Sequence, residues 1–368
     1  MIHPKLLFSF TASALLFFSM VVPQAIAQSY SELLQPYLTE DVVAMAYVDL
    51  EAIDLDAALT MATKLGVVEA ELAEEVAKVT PLIESEFKTL SQAGLKRAYV
   101  LIRMTDLQNQ GTSWVIPLAK GIDSTIAKKT LENLISRLPE EDPGMRLSAI
   151  ATTDSALLIA SNEAQLKKLK ASIENATQVD DELWKSIGNG TLGFAIVGDE
   201  DSRKVIRELM PIWPAPFEAI TGELVANKLQ WFGAELKTAK VPSLNIHFET
   251  TDEESAATIE NSINIGIKLI QAMPQTKAAF PESEHSFLFG GLAPIRKGTR
   301  VSISSEKLTS DMDRLGRAIE SSSSLVRDSI KPTIRNYLSA IVYFHSQPGI
   351  IVGLSGPAPK PKPESEKE

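Results

Sequence analysis

Histidine is the first place to look for chemistry, and it is scarce. The chain holds four: His3, His247, His285 and His345. No two stand at H-x-x-x-H spacing, and there is no cysteine. A zinc site, which needs several nitrogen or sulfur ligands together, has no candidate set, so neither metal nor cofactor is expected. His247 alternates with Ile246 and Phe248 in LNIHFET and reads as a strand imidazole. His285 lies in the polar run ESEHS, read as a loop. His345 sits at the end of a helical pattern, where a partly charged imidazole suits the helix dipole.

Carboxylates form two groups. Asp49, Glu51, Asp54 and Asp56 follow one strand pattern, and Asp199, Glu200 and Asp201 follow another. Paired carboxylates can run general acid–base hydrolysis or hold calcium. Neither group has the D-x-[DN]-x-[DN]-G loop. Both stand where a strand gives way to a helix, so capping is the default reading. A carboxylate-dependent hydrolase would need the Asp49 and Asp199 groups to converge in one cleft. Ser85-x-x-Lys88 and Ser304-x-x-Lys307 match S-x-x-K without the partner motifs that penicillin-binding enzymes carry. No Walker loop is present. With no coherent catalytic set, a non-enzymatic protein is expected.

Gly188-Asn-Gly-Thr-Leu-Gly193 spells G-x-G-x-x-G. A dinucleotide site needs these glycines after a strand and before a helix. Here a helical pattern, DDELWKSI, precedes them and a strand pattern, LGFAIVGD, follows. The order is reversed, and a turn between two units is the expected role.

The N-terminus reads as an export signal. MIHPK is basic, Leu6 to Val22 is apolar, and Ala25-Ile-Ala27 precedes Gln28 with small residues where signal peptidase requires them. Residues 1–27 are therefore expected to be removed at Gln28, the alternative being a retained anchor. No later stretch is apolar enough to span a bilayer. Net charge is −11. Without a basic run, nucleic acid and anionic lipid surfaces are unfavourable partners.

The elements that would position any site occur twice in the same order. VVAMAYVDL (42–50), LKRAYVLIRM (95–104), TSWVIPLA (112–119), MRLSAIAT and SALLIAS read as strands in the first half. Helices are expected near 56–65 and 68–91, after Asp123, and from Glu163 to Ala176. TLGFAIVGD (191–199), NKLQWFGAELK, PSLNIHFET, SFLFGGL and TRVSISS read as strands in the second half, with helices over 201–210, after Asp252 and from Glu306. Tyr47 aligns with Ala195, Val115 with Ile246 and Ser161 with Ser304, a period of about 140 residues. Strands joined by short turns are antiparallel, which argues against the alternative, a parallel α/β fold. The expected fold is α+β: two related modules of antiparallel sheet, over 28–180 and 186–330, with helices packed on one face of each. Few contacts are expected to cross their junction near 177–190. Trp114 and Trp231 alternate with apolar residues and read as core. Trp184 stands just before the junction, and Trp213, in PIWPAPF, is expected to pack on its own domain, the alternative being the lining of a hydrophobic contact.

The last part of the chain divides again. Pro332 suits a helix start. Ile334, Tyr337, Leu338, Ile341, Phe344 and His345 then share one face of a helix within 331–356, a possible interaction face, with a short strand after Gly349. Residues 357–368, rich in Pro, Lys and Glu, are expected to be disordered. Arg327 to Gly349, RDSIKPTIRNYLSAIVYFHSQPG, resembles a pilin-like helix of exported planctomycete proteins, with Ile334, Arg335, Ala340, Ile341, Phe344, His345 and Gly349 at similar places. The upstream region is similar to exported domains of unknown function from such bacteria. The resemblance implies a bacterial periplasm or envelope and carries no catalytic residues. Together these readings point to an exported envelope protein with an interaction or scaffolding role, its partner an envelope protein. The alternatives are a periplasmic binder of an apolar ligand or lipid, and the carboxylate-dependent hydrolase.

Overall fold

The computed structural model describes residues 34–39, 42–64, 68–103, 113–135, 149–172, 190–198, 200–210, 212–237, 242–280 and 282–320. The leader with Ala25, Ala27 and Gln28 lies outside them. So do Asp199, Trp184, Gly188, most of the proposed junction, the helix face from Ile334 to His345, and the 357–368 tail.

Ten strands form one sheet. They are β1 (Val42–Asp49), β2 (Arg97–Arg103), β3 (Ser113–Pro117), β4 (Ala149–Thr152), β5 (Ala156–Ala160), β6 (Leu192–Val197), β7 (Leu229–Lys237), β8 (Ser243–Thr250), β9 (Ile295–Lys297) and β10 (Arg300–Ser304). Their spatial order is β4-β5-β3-β2-β1-β6-β7-β8-β10-β9, and neighbours are antiparallel. Outward from the centre, the first half reads β1-β2-β3-β5-β4 and the second β6-β7-β8-β10-β9. The two halves thus share one strand order. Most strands match the period-2 patterns closely, because alternating apolar and polar residues suit a pleated ribbon. Tight turns close the outer hairpins. Thr153 Oγ1 accepts from the Ala156 amide at 3.0 Å, and Gly298 takes the left-handed conformation between β9 and β10.

The chain does not separate into two sheets. Central β1 pairs with β6 from Ala44 opposite Ile196 to Val48 opposite Leu192. The expectation that few contacts link the halves therefore fails. A ladder of backbone hydrogen bonds joins them.

The helices are α1 (Leu55–Lys64), α2 (Ala70–Gln92), α3 (Ser124–Ile135), α4 (Glu163–Ala171), α5 (Glu200–Leu209), α6 (Glu253–Ala272), α7 (Pro274–Ala279), α8 (Glu282–Gly291), α9 (Glu306–Thr309) and α10 (Met312–Glu320). Short polar side chains start several of them. Asp54 accepts from the Ala57 amide at 2.8 Å, Asp123 from Thr125 at 2.8 Å, Asn162 from Gln165 at 2.9 Å and Asp252 from Ser255 at 2.8 Å. On one sheet face, Leu90 of α2 and Ala127 and Leu131 of α3 pack on Ile116, Leu157 and Ile159. On the opposite face, Leu166 and Leu169 of α4, with Leu34, Tyr37 and Leu38, pack on Leu101, Val115 and Leu158. The first half therefore carries cover on both faces, where one was expected. α6 lies on the α2–α3 face. Its Glu260 accepts from Arg296 Nε at 3.0 Å, and Arg296 shares its face of the sheet with the paired Val301.

SFLFGGL was expected to be a strand and lies in α8. A short apolar run has no period that distinguishes strand from helix, and tertiary contacts decide it. Arg314 of α10 donates to Glu284 Oε2 at 2.9 Å and stacks 4.4 Å from the Phe287 ring centre. β9 takes the place beside β10 instead. His285, expected in a loop, is thereby helical, its ring edge-on to Phe289 at 6.1 Å.

Candidate functional site

Because side chains alternate across a strand, β1, β6, β7, β8 and β10 present two different surfaces. One is polar. Tyr47, Gly193, Glu235, Asn245 and Ser304 stand in one transverse row, and Met45, Ala195, Gly233, His247 and Ser302 in the next. Tyr47 donates its hydroxyl to Glu235 Oε1 at 3.3 Å and accepts from the Gly190 amide at 3.0 Å. Lys237 Nζ lies 3.6 Å from Glu235 Oε2. Arg97 stacks 5.1 Å from the Tyr47 ring centre and donates from Nε to Asp49 Oδ2 at 3.0 Å. Glu235 is 1% exposed. A buried carboxylate is tolerated only with such partners. Burial, followed by the Glu235 charge, raises the Tyr47 hydroxyl well above its ordinary pKa.

Further out, Glu249 accepts from Arg300 Nε and from Thr299 Oγ1, each at 2.6 Å. Arg300 also stacks on buried Trp231. His247 Nδ1 and Ser302 Oγ are 2.9 Å apart. Burial, with the Arg300 and Lys237 cations behind it, pushes His247 down to about 4. The imidazole is neutral at pH 7.

This polar seam accounts for two of the three glycines in the G-x-G-x-x-G stretch. A Cβ on Gly193 would meet the Tyr47 ring at 2.4 Å, and one on Gly190 would meet Glu235 Cγ at 2.4 Å. Both sit under side chains that leave no room.

The described members of the two acidic groups do not converge. Because β1 and β6 are antiparallel, Asp49 lies beside the start of β6, its amide donating to Thr191 O at 2.8 Å. Glu200 and Asp201 follow the far end of β6, where both pair with Lys204. Asp49 caps the short turn after β1, accepting from the Glu51 amide at 3.1 Å. Glu51 is paired with Lys96 and accepts from Ser91. Ser85 is exposed on α2, as is Lys88, so that pair lines no site.

The other surface is apolar throughout. Ala44, Ile196, Phe232, Phe248 and Val301 form one row across β1, β6, β7, β8 and β10. Ala46, Phe194, Ala234, Ile246 and Ile303 form the next. The rings touch in sequence: Phe194 and Phe232 at 5.6 Å between centroids, Phe232 and Phe248 at 5.0 Å. In the first half this face lies beneath α2 and α3. In the middle it is only partly covered. The three phenylalanines are half-buried, Ile196 is 48% exposed and Leu244 is 38% exposed. The result is an apolar cleft floored by β1, β6, β7 and β8, with α2 on one side and α6 on the other, while α1 and α10 of the two halves touch.

Comparison with protein-family models, with curated proteins and with solved structures finds no match to this chain. The chemistry of the cleft must therefore be read from its own side chains. Its floor offers no hydrogen-bond donor, acceptor or charge, and half-exposed aromatic rings are the usual lining of apolar ligand sites. Among the described residues, no three His, Asp or Glu come together as metal ligands, and no helix is long and apolar enough to cross a membrane. Sequence reasoning named none of the cleft residues as a site. Phe194, Phe232 and Phe248 fall on alternating positions that look like ordinary core, and only the strand register reveals that they come together on one partly exposed face.

Proposed function

We propose that this protein is a non-enzymatic, exported binding protein that holds an apolar, chain-like ligand such as a lipid acyl chain. The observation that carries this reading is the half-buried Phe194–Phe232–Phe248 cluster beside exposed Ile196. Rings sheltered to that degree suit a chain better than a flat protein face. Half-burying an acyl chain of about sixteen carbons releases roughly 6 kcal/mol, against which stands the cost of immobilising the chain. The leader-like N-terminus supports export to a bacterial periplasm or envelope. The common strand order of the halves supports descent from one duplicated unit. In that reading the first copy keeps a covered core and the second opens its face for binding. Native mass spectrometry of the protein purified from its own envelope tests the assignment. Adducts of lipid mass should be present, and should vanish on delipidation. A protein with no apolar adduct and no uptake of added fatty acid contradicts it.

A further inference from the structure

Large exposed apolar side chains are not scattered over this molecule. Eleven are exposed among the described residues, and seven of them lie in 205–213 and 269–273. Ile212 is 95% exposed and Leu209 76%. Val205, Leu209 and Ile212 follow the i, i+4, i+7 spacing of one helical stripe along α5 and just past its end. The chain after Trp213 brings Phe217 against Gly266 of α6, where a Cβ would lie 3.6 Å from the ring. Positions 269, 270 and 273 continue that side of α6 toward its end. Gly222 packs back on the Ile206 and Arg207 backbone, within 3.2 Å of a built Cβ.

The patch is held rigidly. Arg203 of α5 donates to the carbonyls of Gly198, Ala226, Leu229 and Gln230 at 2.6–3.2 Å. Those carbonyls lie just past the end of β6 and around the start of β7, so the α5 stripe sits at one end of the apolar cleft. Its charges nearly balance. Across 200–218 and 265–280, four acids (Glu200, Asp201, Glu208 and Glu218) stand against five cations (Arg203, Lys204, Arg207, Lys268 and Lys277), and Lys204 is bridged to Glu200 at 3.0 Å and Asp201 at 3.4 Å. An apolar surface with so small a net charge suits a zwitterionic lipid interface. Trp213 and the flanking apolar residues are of the types that anchor at such interfaces.

We propose that the surface formed by Leu209, Ile212, Trp213, Ile270 and Met273 docks on a zwitterionic lipid interface and presents the end of the cleft to it. The inference rests on the cleft's being a lipid site, since docking there supplies the ligand directly. The absence of cysteine permits a local test. An I212C variant of the full chain, labelled with an environment-sensitive fluorophore, is mixed with phosphatidylcholine vesicles, and an E71C variant labelled on exposed α2 serves as reference. The label at 212 should shift to the blue and brighten at least twofold, while the label at 71 should not change. An I212C/L209E double variant should lose most of that response. Equal response at both positions overturns the proposal. So does a shift at 212 that depends on protein concentration without lipid, which would place a second copy of the chain on the patch. Adding F232E separates the two readings: it should abolish fatty-acid uptake in lipid-free solution and leave the 212 response intact.

Discussion

Tyr47 and Glu235 meet across an intervening strand: the Tyr47 hydroxyl of β1 reaches Glu235 Oε1 of β7 at 3.3 Å over the Gly193 backbone of β6. The contact depends on glycine at 193, because any side chain there would occupy the place of the Tyr47 ring. Gly193→Ala should destabilise the protein by about 1–3 kcal/mol through overpacking. In a Tyr47→Ala background the same change should cost much less. Denaturant unfolding of the four proteins in the cycle measures the coupling, and additive effects would remove Tyr47 as the cause.

Tyr47→Phe keeps the ring and removes the hydroxyl. Glu235 then loses a donor and the Gly190 amide loses its acceptor. A loss of about 1–3 kcal/mol is expected for buried polar groups left short of partners. A midpoint of unfolding equal to the native protein's would show that the hydroxyl contributes nothing at the seam.

His247 gives the fold a pH dependence of defined sign. Burial, then the neighbouring Arg300 and Lys237, lowers its folded pKa to about 4 from the ordinary 6.5. Between those values the unfolded chain takes up a proton that the folded chain refuses. The associated stability is present above about pH 6.5 and is lost as pH falls toward 4. With partial exposure discounted, the effect is about 1 kcal/mol. His247→Asn should flatten the melting temperature over that window, and an unchanged pH profile would exclude this histidine.

The β1–β6 ladder predicts how a nicked chain behaves. A protease site inserted near Asp180 should yield two fragments that remain together through gel filtration until denaturant is added. Fragments that part in native buffer would contradict a shared sheet.

The sequence makes some of this architecture plain and hides the rest for physical reasons. Strands such as VVAMAYVD and SLNIHFET announce themselves by alternation, and Asp123, Asn162 and Asp252 mark helix starts because a short side chain at that point satisfies an amide. These are local effects. SFLFGGL has no such signature, and later segments hold it as α8: Arg314 packs on Glu284 and Phe287, and Leu308 lies against Gly291. The order of strands across the seam is equally non-local. So is the cleft: Ile196, Phe232 and Phe248 are separated along the chain and become one row only when three strands pair in register. Gly190 and Gly193 suggest a nucleotide loop by spacing, whereas their neighbours Glu235 and Tyr47, far away in sequence, explain them.

Binding of an apolar chain to the open sheet face is tested most directly by titrating a fluorescent fatty acid into the native protein and its Ile196→Glu variant. Ile196 is exposed on the cleft floor, so the substitution should leave the melting temperature within about 2 °C, as surface changes usually do. Saturable binding of one probe per chain is expected, weakened at least tenfold (about 1.4 kcal/mol) in the variant. Non-saturable uptake by the native protein, or equal affinity in the folded variant, would contradict it.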